Sequence, residues 1–261
     1  MTSIMGVLNV TPDSFSDGGN YPDLTAVLAH AHEMLAEGAD IVDVGGESTR
    51  PGATPVSVAE ELRRTVPIVE ALAAHCTVSI DTTKERVATA CVRAGASIIN
   101  DVSSCLDGVA ADLGAGWIAM HMQGVPLTMQ AQPRYGDVVA EVRDHLVATA
   151  DRALSRGVAK VWIDPGIGFG KGFEHNLELL RHIDELISTG HPVAVGLSRK
   201  SFIGTLTDQP VPHKRVTGSA VAAALAAGAG VDLVRVHDVR ETVEALRVAA
   251  ALSTIRVVGS Q

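Results

Sequence analysis

The sequence predicts an α/β fold: a (β/α)8 TIM barrel, a single domain over residues 1–261, with its functional face at the C-terminal ends of the strands. Three observations carry that expectation. Short apolar runs alternate with helical periodicity about eight times, and strands separated by helices imply right-handed parallel crossovers. The chain has 261 residues, close to the roughly 250 that a closed barrel of about eight strands needs. Loops that follow strands are long and polar, whereas loops that follow helices are short, the asymmetry of a barrel whose site lies on one rim.

Taken in order, residues 4–10 read as a buried strand, followed by the polar loop NVTPDSFSDGG. Residues 24–37 have helical periodicity, stopped by Gly38. The second strand is 39–44, and its loop GGESTRPGATP is rich in Gly and Pro. A helix over 58–74 leads to a strand at 78–81, and a helix over 84–94 to a strand at 98–102. A short helix at 109–113 precedes the fifth strand, 117–121. The long helix 138–155 leads to the sixth strand, 161–164, and the loop PGIGFGKG. A helix over 176–187 precedes the seventh strand, 193–196; an Ala-rich helix over 216–227 precedes the eighth, 233–236; and 239–252 is the last helix.

Composition narrows the function. With 46% hydrophobic and 20% charged residues the chain is an ordinary globular sequence, long enough for one large core. No apolar run approaches the ~18 residues of a membrane span, and the N-terminus lacks the basic-then-apolar pattern of a signal peptide. Three cysteines, Cys76, Cys91 and Cys105, stand far apart without metal-site spacing. They predict buried inert thiols and a cytoplasmic location. The net charge of -9 argues against nucleic acid as the main partner. An anionic small molecule requires only a local positive patch.

Such a patch is visible in residues 193–206, VAVGLSRKSFIGTL, where an apolar run ends in a Ser-Arg-Lys-Ser cluster at a strand tip. The other strands end similarly: IVDV near Asp43, VSID at Asp81, IIND at Asn100 and Asp101, VWID at Asp164, and LVRVHD with Arg235, His237 and Asp238. These tips are expected to converge on one rim. A carboxylate there can accept two adjacent N–H groups, and an Asn offers both donor and acceptor. The spacing of Arg235 and His237 puts both on one face of a strand. The competing use of a strand-end Asp is to cap a helix. His30 and His32 do not share a helix face and read as surface. No Ser–His pair, activated Cys or zinc cluster is evident.

The motifs MGVLNVTPDSFSDGG, DVGGESTRPGA, INDVSS, MHMQG, DPGIGFGK, GLSRKSFIG and RVHDV follow one another along almost the whole chain and resemble the dihydropteroate synthase family. The resemblance implies a transferase that condenses (7,8-dihydropterin-6-yl)methyl diphosphate with p-aminobenzoate to give 7,8-dihydropteroate and pyrophosphate. On it, Asp81, Asn100, Met120, Asp164 and Lys200 form the pterin pocket. Arg235 and His237 bind the diphosphate, and Asn9 contacts a Mg2+ ion bound to it. Phe15, Pro51 and Phe169 are walls for the aminobenzoate, and Thr49, Arg50 and Ser201 are its polar contacts. Asp81, Lys200, Arg235 and His237 carry the catalysis, with pyrophosphate leaving before the amine attacks; direct displacement remains an alternative. His121 reads as structural. The resemblance also implies inhibition by sulfonamides and a homodimer through the late Ala-rich helices. The loops at 11–21 and 45–55 carry Phe15, Arg50 and Pro51, so the aminobenzoate site is expected to complete itself when the diphosphate binds. Two rival readings stay open. A pterin-binding methyltransferase acting on methyltetrahydrofolate with a corrinoid partner would share the strand-end Asp and Asn residues, but would not need NVTPDSF, SRK or RVHD. A catalytically inactive paralogue would bind pterin only.

Overall fold

The computed structural model describes residues 2–10, 24–48, 55–124 and 129–253. Strands and helices alternate: β1 (Ser3–Asn9), α1 (Leu24–Glu37), β2 (Ile41–Gly45), α2 (Val58–Leu72), β3 (Thr77–Asp81), α3 (Glu85–Arg93), β4 (Ile98–Asp101), α4 (Asp107–Leu113), β5 (Gly116–Met120), α5 (Val138–Ser155), β6 (Val161–Asp164), α6 (Phe173–Arg181), α7 (Ile183–Ile187), β7 (Ala194–Gly196), α8 (Ser201–Leu206), a 3-10 turn (Pro212–Lys214), α9 (Val216–Ala229), β8 (Leu233–Val236) and α10 (Val239–Ser253). The strands lie in the order β6-β5-β4-β3-β2-β1-β8-β7, and each neighbouring pair is parallel. The sheet closes where Ile163 of β6 bridges in parallel to Val193, with the Ile163 N–H donating to the Pro192 carbonyl at 2.9 Å. This is the (β/α)8 barrel that the sequence predicts.

Side chains alternate along a strand, so inward positions stack in layers. The lowest is a separate apolar cluster of Met5, Ile41, Ile98, Ile118, Trp162, Ala194 and Leu233. It fills the barrel base, each such burial contributing about 1.5–3 kcal/mol for a large aliphatic side chain. Two residues further along the same strands come Val7, Asp43, Asn100, Met120, Asp164, Gly196 and Arg235. The next layer up is therefore largely polar and sits at the strand ends. Outward-facing positions such as Val42, Ile80, Ile99, Ile163 and Val195 belong to the main core, with apolar residues of the surrounding helices.

The structure departs from expectation in the thiols, where Cys91 is buried but Cys76 is half-buried and Cys105 exposed, and in three helices. Residues 176–187 are not one helix: α6 begins at Phe173 and breaks at His182, whose φ of -112° leaves the helical range before α7 resumes. The short α8 follows β7 after the turn at 197–200, and periodicity gave no signal over so few residues. Asp107 opens α4 two residues early, because the Asp101 carboxylate accepts the N–H groups of Cys105 and Leu106, both at 2.8 Å, at the helix entrance. Asp101 also accepts from Ser103 N–H at 2.9 Å and Trp117 Nε1 at 3.3 Å, so this strand-end carboxylate caps local structure.

Candidate active site

The strand ends enclose a cavity of about 360 Å³. Asn9 of β1, Asp81 of β3, Asn100 of β4, Met120 of β5 and Asp164 of β6 reach its wall. So do Phe169 from the loop after β6, Lys200 and Ser201 after β7, Arg235 on β8 and His237 just beyond it. Phe15, Thr49, Arg50 and Pro51 lie outside the described residues.

The electrostatic centre is Arg235. Its Nε donates to Asp43 Oδ2 at 2.6 Å and an Nη2 hydrogen goes to Asp81 Oδ2 at 2.8 Å. The same Asp43 oxygen accepts from Asn100 Nδ2 at 3.0 Å. Since a carboxylate only accepts, this bond fixes the amide and leaves the Asn100 carbonyl oxygen for a ligand. Burial pushes Asp81 up to about 7; Arg235 opposes the rise, and Asp43, Glu61 and Asp101 add to it. Burial also works against the charge on Arg235, but Asp43 and Asp81 outweigh it and keep the guanidinium protonated. Asp43 Oδ1, Ser79 Oγ and Asp81 Oδ1 are buried with no partner among the described residues.

Asp164 and Lys200 add opposite charges to the same wall. Asp164 Oδ1 accepts from Gly166 N–H at 2.7 Å, leaving its other oxygen to the cavity. Burial raises its carboxyl, and Lys200 opposes this. Burial brings Lys200 down to about 8, with Asp164 pulling the other way. The Lys200 ammonium donates to the Ile167 carbonyl and lies 4.6 Å from the Phe169 ring centroid. Arg199 lines the cavity too, but its guanidinium forks onto Asp238, with Nε 3.0 Å from Oδ2. Its carbonyl is held by Arg215 Nη1 at 2.8 Å. His237 has Nδ1 3.1 Å from Ser198 Oγ.

The loop after β6 is a rigid shelf. A Cβ on Gly166 would lie 2.0 Å from the His121 carbonyl oxygen and one on Gly170 2.2 Å from that of Gln123, so the loop packs directly on backbone. Lys171, only 2% exposed, sits beneath it. Its ammonium donates to the carbonyls of Phe169 at 3.0 Å, His121 at 3.1 Å and Gly166 at 3.2 Å, and lies 2.9 Å from His121 Nδ1. Burial lowers Lys171 to about 7. Sequence reasoning missed it: nothing in DPGIGFGK marks this lysine as buried rather than solvated. Glu47, on the cavity wall, was likewise not singled out. It pairs with Lys84, which also reaches the buried Glu61 at 2.5 Å, and Glu61 accepts from Thr82 Oγ1 at 2.6 Å.

Among the described residues no group of three or more His, Cys, Asp or Glu side chains can hold a metal. A hydrated Mg2+ bound chiefly by substrate phosphates needs few protein ligands, all oxygen. Asn9 fits that need. A Cβ on Gly45 would come 3.8 Å from both Asn9 Oδ1 and Asp81 Oδ2, so the bare glycine leaves room between two hard oxygen donors.

The family model of the pterin binding enzymes matches residues 5–237. Over 256 residues the chain is 48% identical to the dihydropteroate synthase of Escherichia coli strain K12, covering 95% of this chain and 90% of that protein. The dihydropteroate synthase of Xanthomonas albilineans in complex with 7,8-dihydropteroate superposes with a TM-score of 0.87 at 44% identity, covering 98% of this chain and 95% of the other. The Yersinia pestis dihydropteroate synthase with a sulfonamide drug superposes with a TM-score of 0.90 at 45% identity, covering 98% and 95%.

The Lys171 support generates a prediction. Burial, together with Lys171 and His145, lowers His121 from the ordinary histidine value of about 6.5 to about 3. Between those limits the unfolded chain binds a proton at His121 that the native chain does not. Stability is therefore lost as pH falls through that window and is fully present above it. We expect His121→Gln to flatten part of this acid loss. Urea midpoints at about pH 7.5 and about pH 4.5 check it; a variant that loses as much as wild type contradicts it.

Proposed function

The chain belongs to the pterin-binding enzyme family, and from that premise we infer that it is a dihydropteroate synthase. It condenses (7,8-dihydropterin-6-yl)methyl diphosphate with p-aminobenzoate to 7,8-dihydropteroate and pyrophosphate. The observation that carries this is the meeting of Asp81, Asn100, Asp164, Lys200, Arg235 and His237 in one cavity. The methyltransferase reading has no need of SRK or RVHD, yet Lys200, Arg235 and His237 all reach the cavity wall.

The chemistry follows from the side chains. The free oxygen of Asp164 accepts the N–H groups of the pterin's aminopyrimidinone edge. Asn100 presents its carbonyl oxygen, and Lys200 donates to the ring carbonyl and a ring nitrogen. Arg235 spends part of its fork on Asp43 and Asp81 and keeps further N–H groups for the diphosphate. His237 adds a second contact, and Asn9 would hold Mg2+. When bound, that ion neutralises charge on the leaving oxygens. The methylene–oxygen bond breaks first, its electron pair leaving on pyrophosphate. Arg235 and His237 stabilise that departing charge, and the ionised carboxylate of Asp81 stabilises the cation delocalised into the ring. The aryl amine then attacks and loses a proton. Phe169 and Ser201 wall the aminobenzoate side, Ser201 beginning α8, and sulfonamides are expected to occupy the same place.

We further propose a homodimer. Val221 and Leu225 of α9, and Val248 and Leu252 of α10, stand one helical turn apart and are exposed, Leu225 to 71%. An apolar stripe shared by two packed helices supports burial against a second copy. We assign the enzyme to the cytoplasm, which the unpaired state of Cys76, Cys91 and Cys105 supports. No helix among the described residues is long and apolar enough to cross a membrane.

Two outcomes are expected. The wild-type protein, given both substrates and Mg2+, releases pyrophosphate and forms dihydropteroate, whereas Asp164→Ala remains folded but loses pterin binding in a titration. Pterin affinity within about twofold of wild type, well under the ~1.5–3 kcal/mol of a charged hydrogen bond, removes Asp164 from that role. In sedimentation equilibrium the wild type runs as a dimer and Leu225→Glu as a monomer; a monomeric wild type sinks the dimer.

A further inference from the structure

Asp43 is fully buried beneath the cavity and is absent from its wall. Among the described residues, the two bonds its side chain accepts both end on one oxygen, and both come from cavity residues. Asn100 Nδ2 donates at 3.0 Å from the side that we assign to the pterin, and Arg235 Nε at 2.6 Å from the side that we assign to the diphosphate. Asp101, an equally buried strand-end carboxylate, behaves differently: its partners are Ser103, the N–H groups of Cys105 and Leu106, and the Trp117 indole. One carboxylate holds local chain; the other holds the side chains that a substrate meets. Nor does stability account for a charge at this depth, because a buried ion pair contributes little over an apolar replacement.

We infer that Asp43 is a positioning residue for the reaction, orienting the Asn100 amide and the Arg235 guanidinium together. The inference rests on the dihydropteroate synthase reading. Arg235 is gripped from two sides, by Asp43 below and by Asp81 on the cavity wall. When Asp81 turns its charge to the pterin cation, Asp43 still holds the guanidinium where pyrophosphate leaves. Asp43 thus ties recognition of the ring to departure of the leaving group through a single oxygen.

The test is steady-state kinetics of Asp43→Asn, Arg235→Met and the double variant, with melting curves for each. We expect Asp43→Asn to fold and to lower kcat by about 100-fold, near the upper end of what one charged hydrogen bond contributes. The KM for p-aminobenzoate should stay within about twofold, since uniform binding is untouched. In the Arg235→Met background the same change should lower kcat by no more than about tenfold, the neutral hydrogen bond carried by Asn100. The proposal is overturned if the loss in that background equals the loss in wild type, or if Asp43→Asn matches wild-type kcat. If Asp43→Asn does not fold, the double variant, which leaves no lone buried guanidinium, is compared with Arg235→Met. A further loss on the order of 100-fold then overturns the proposal, and one below about tenfold supports it. A wild-type protein that releases no pyrophosphate overturns the functional reading and this inference with it; an active wild type whose variants behave additively overturns only the inference.

Discussion

A guanidinium set between two carboxylates in a protein interior is costly to assemble, since each charge leaves water. Arg235, Asp43 and Asp81 meet that cost at the top of the barrel, and the rim is arranged around them. Two carboxylates share one guanidinium, and one oxygen of each lacks a partner among the described residues. The centre is therefore short of hydrogen-bond donors, and on the reading proposed above the cationic pterin methylene forms beside it. The neighbouring pair, Asp164 with Lys200, places a carboxylate and an ammonium on the same wall. Each is drawn away from its usual protonation range by burial and back toward it by the other.

What allows this is the layering beneath. Seven strands each place one apolar residue at the base, from Met5 to Leu233. Two positions later five of the seven place a polar residue or methionine, with Val7 and Gly196 completing the layer. The apolar layer excludes water from below, which strengthens every electrostatic interaction above it. On one side the Lys171 support fixes the shelf bearing Gly168 and Phe169. On the other, the Glu47–Lys84–Glu61 chain ties the start of the loop after β2 to α2.

Much of this was legible in the sequence, for a physical reason. A strand that is apolar until a charged end either delivers a group to a rim or caps a helix. The pattern could therefore place Asp43, Asp81, Asn100, Asp101, Asp164, Arg235 and the Ser-Arg-Lys-Ser cluster at one rim, and the family resemblance selected the site residues among them. The unread parts depend on tertiary contact. Lys171 sits in a Gly-rich loop and looks solvated until three carbonyls are seen to converge on it. Asp43 and Asp101 look alike as strand tips, and only their partners separate a carboxylate that holds site residues from one that caps a helix. The break at His182 and the short α8 fall below the length at which helical periodicity declares itself. Phe15, Thr49, Arg50 and Pro51, named from the resemblance, lie outside the described residues.

On the proposed reading the cavity divides one substrate between two sets of side chains, the ring at Asp164 and Lys200 and the diphosphate at Arg235 and His237. Calorimetric titration of Lys200→Met and Arg235→Met with 6-hydroxymethyl-7,8-dihydropterin and with its diphosphate tests this most directly. Lys200→Met should weaken both ligands. Arg235→Met should bind the bare pterin as wild type does and its diphosphate at least about tenfold more weakly, the cost of about 1.5–3 kcal/mol for one charged contact. Equal weakening of both ligands by Arg235→Met would contradict the division.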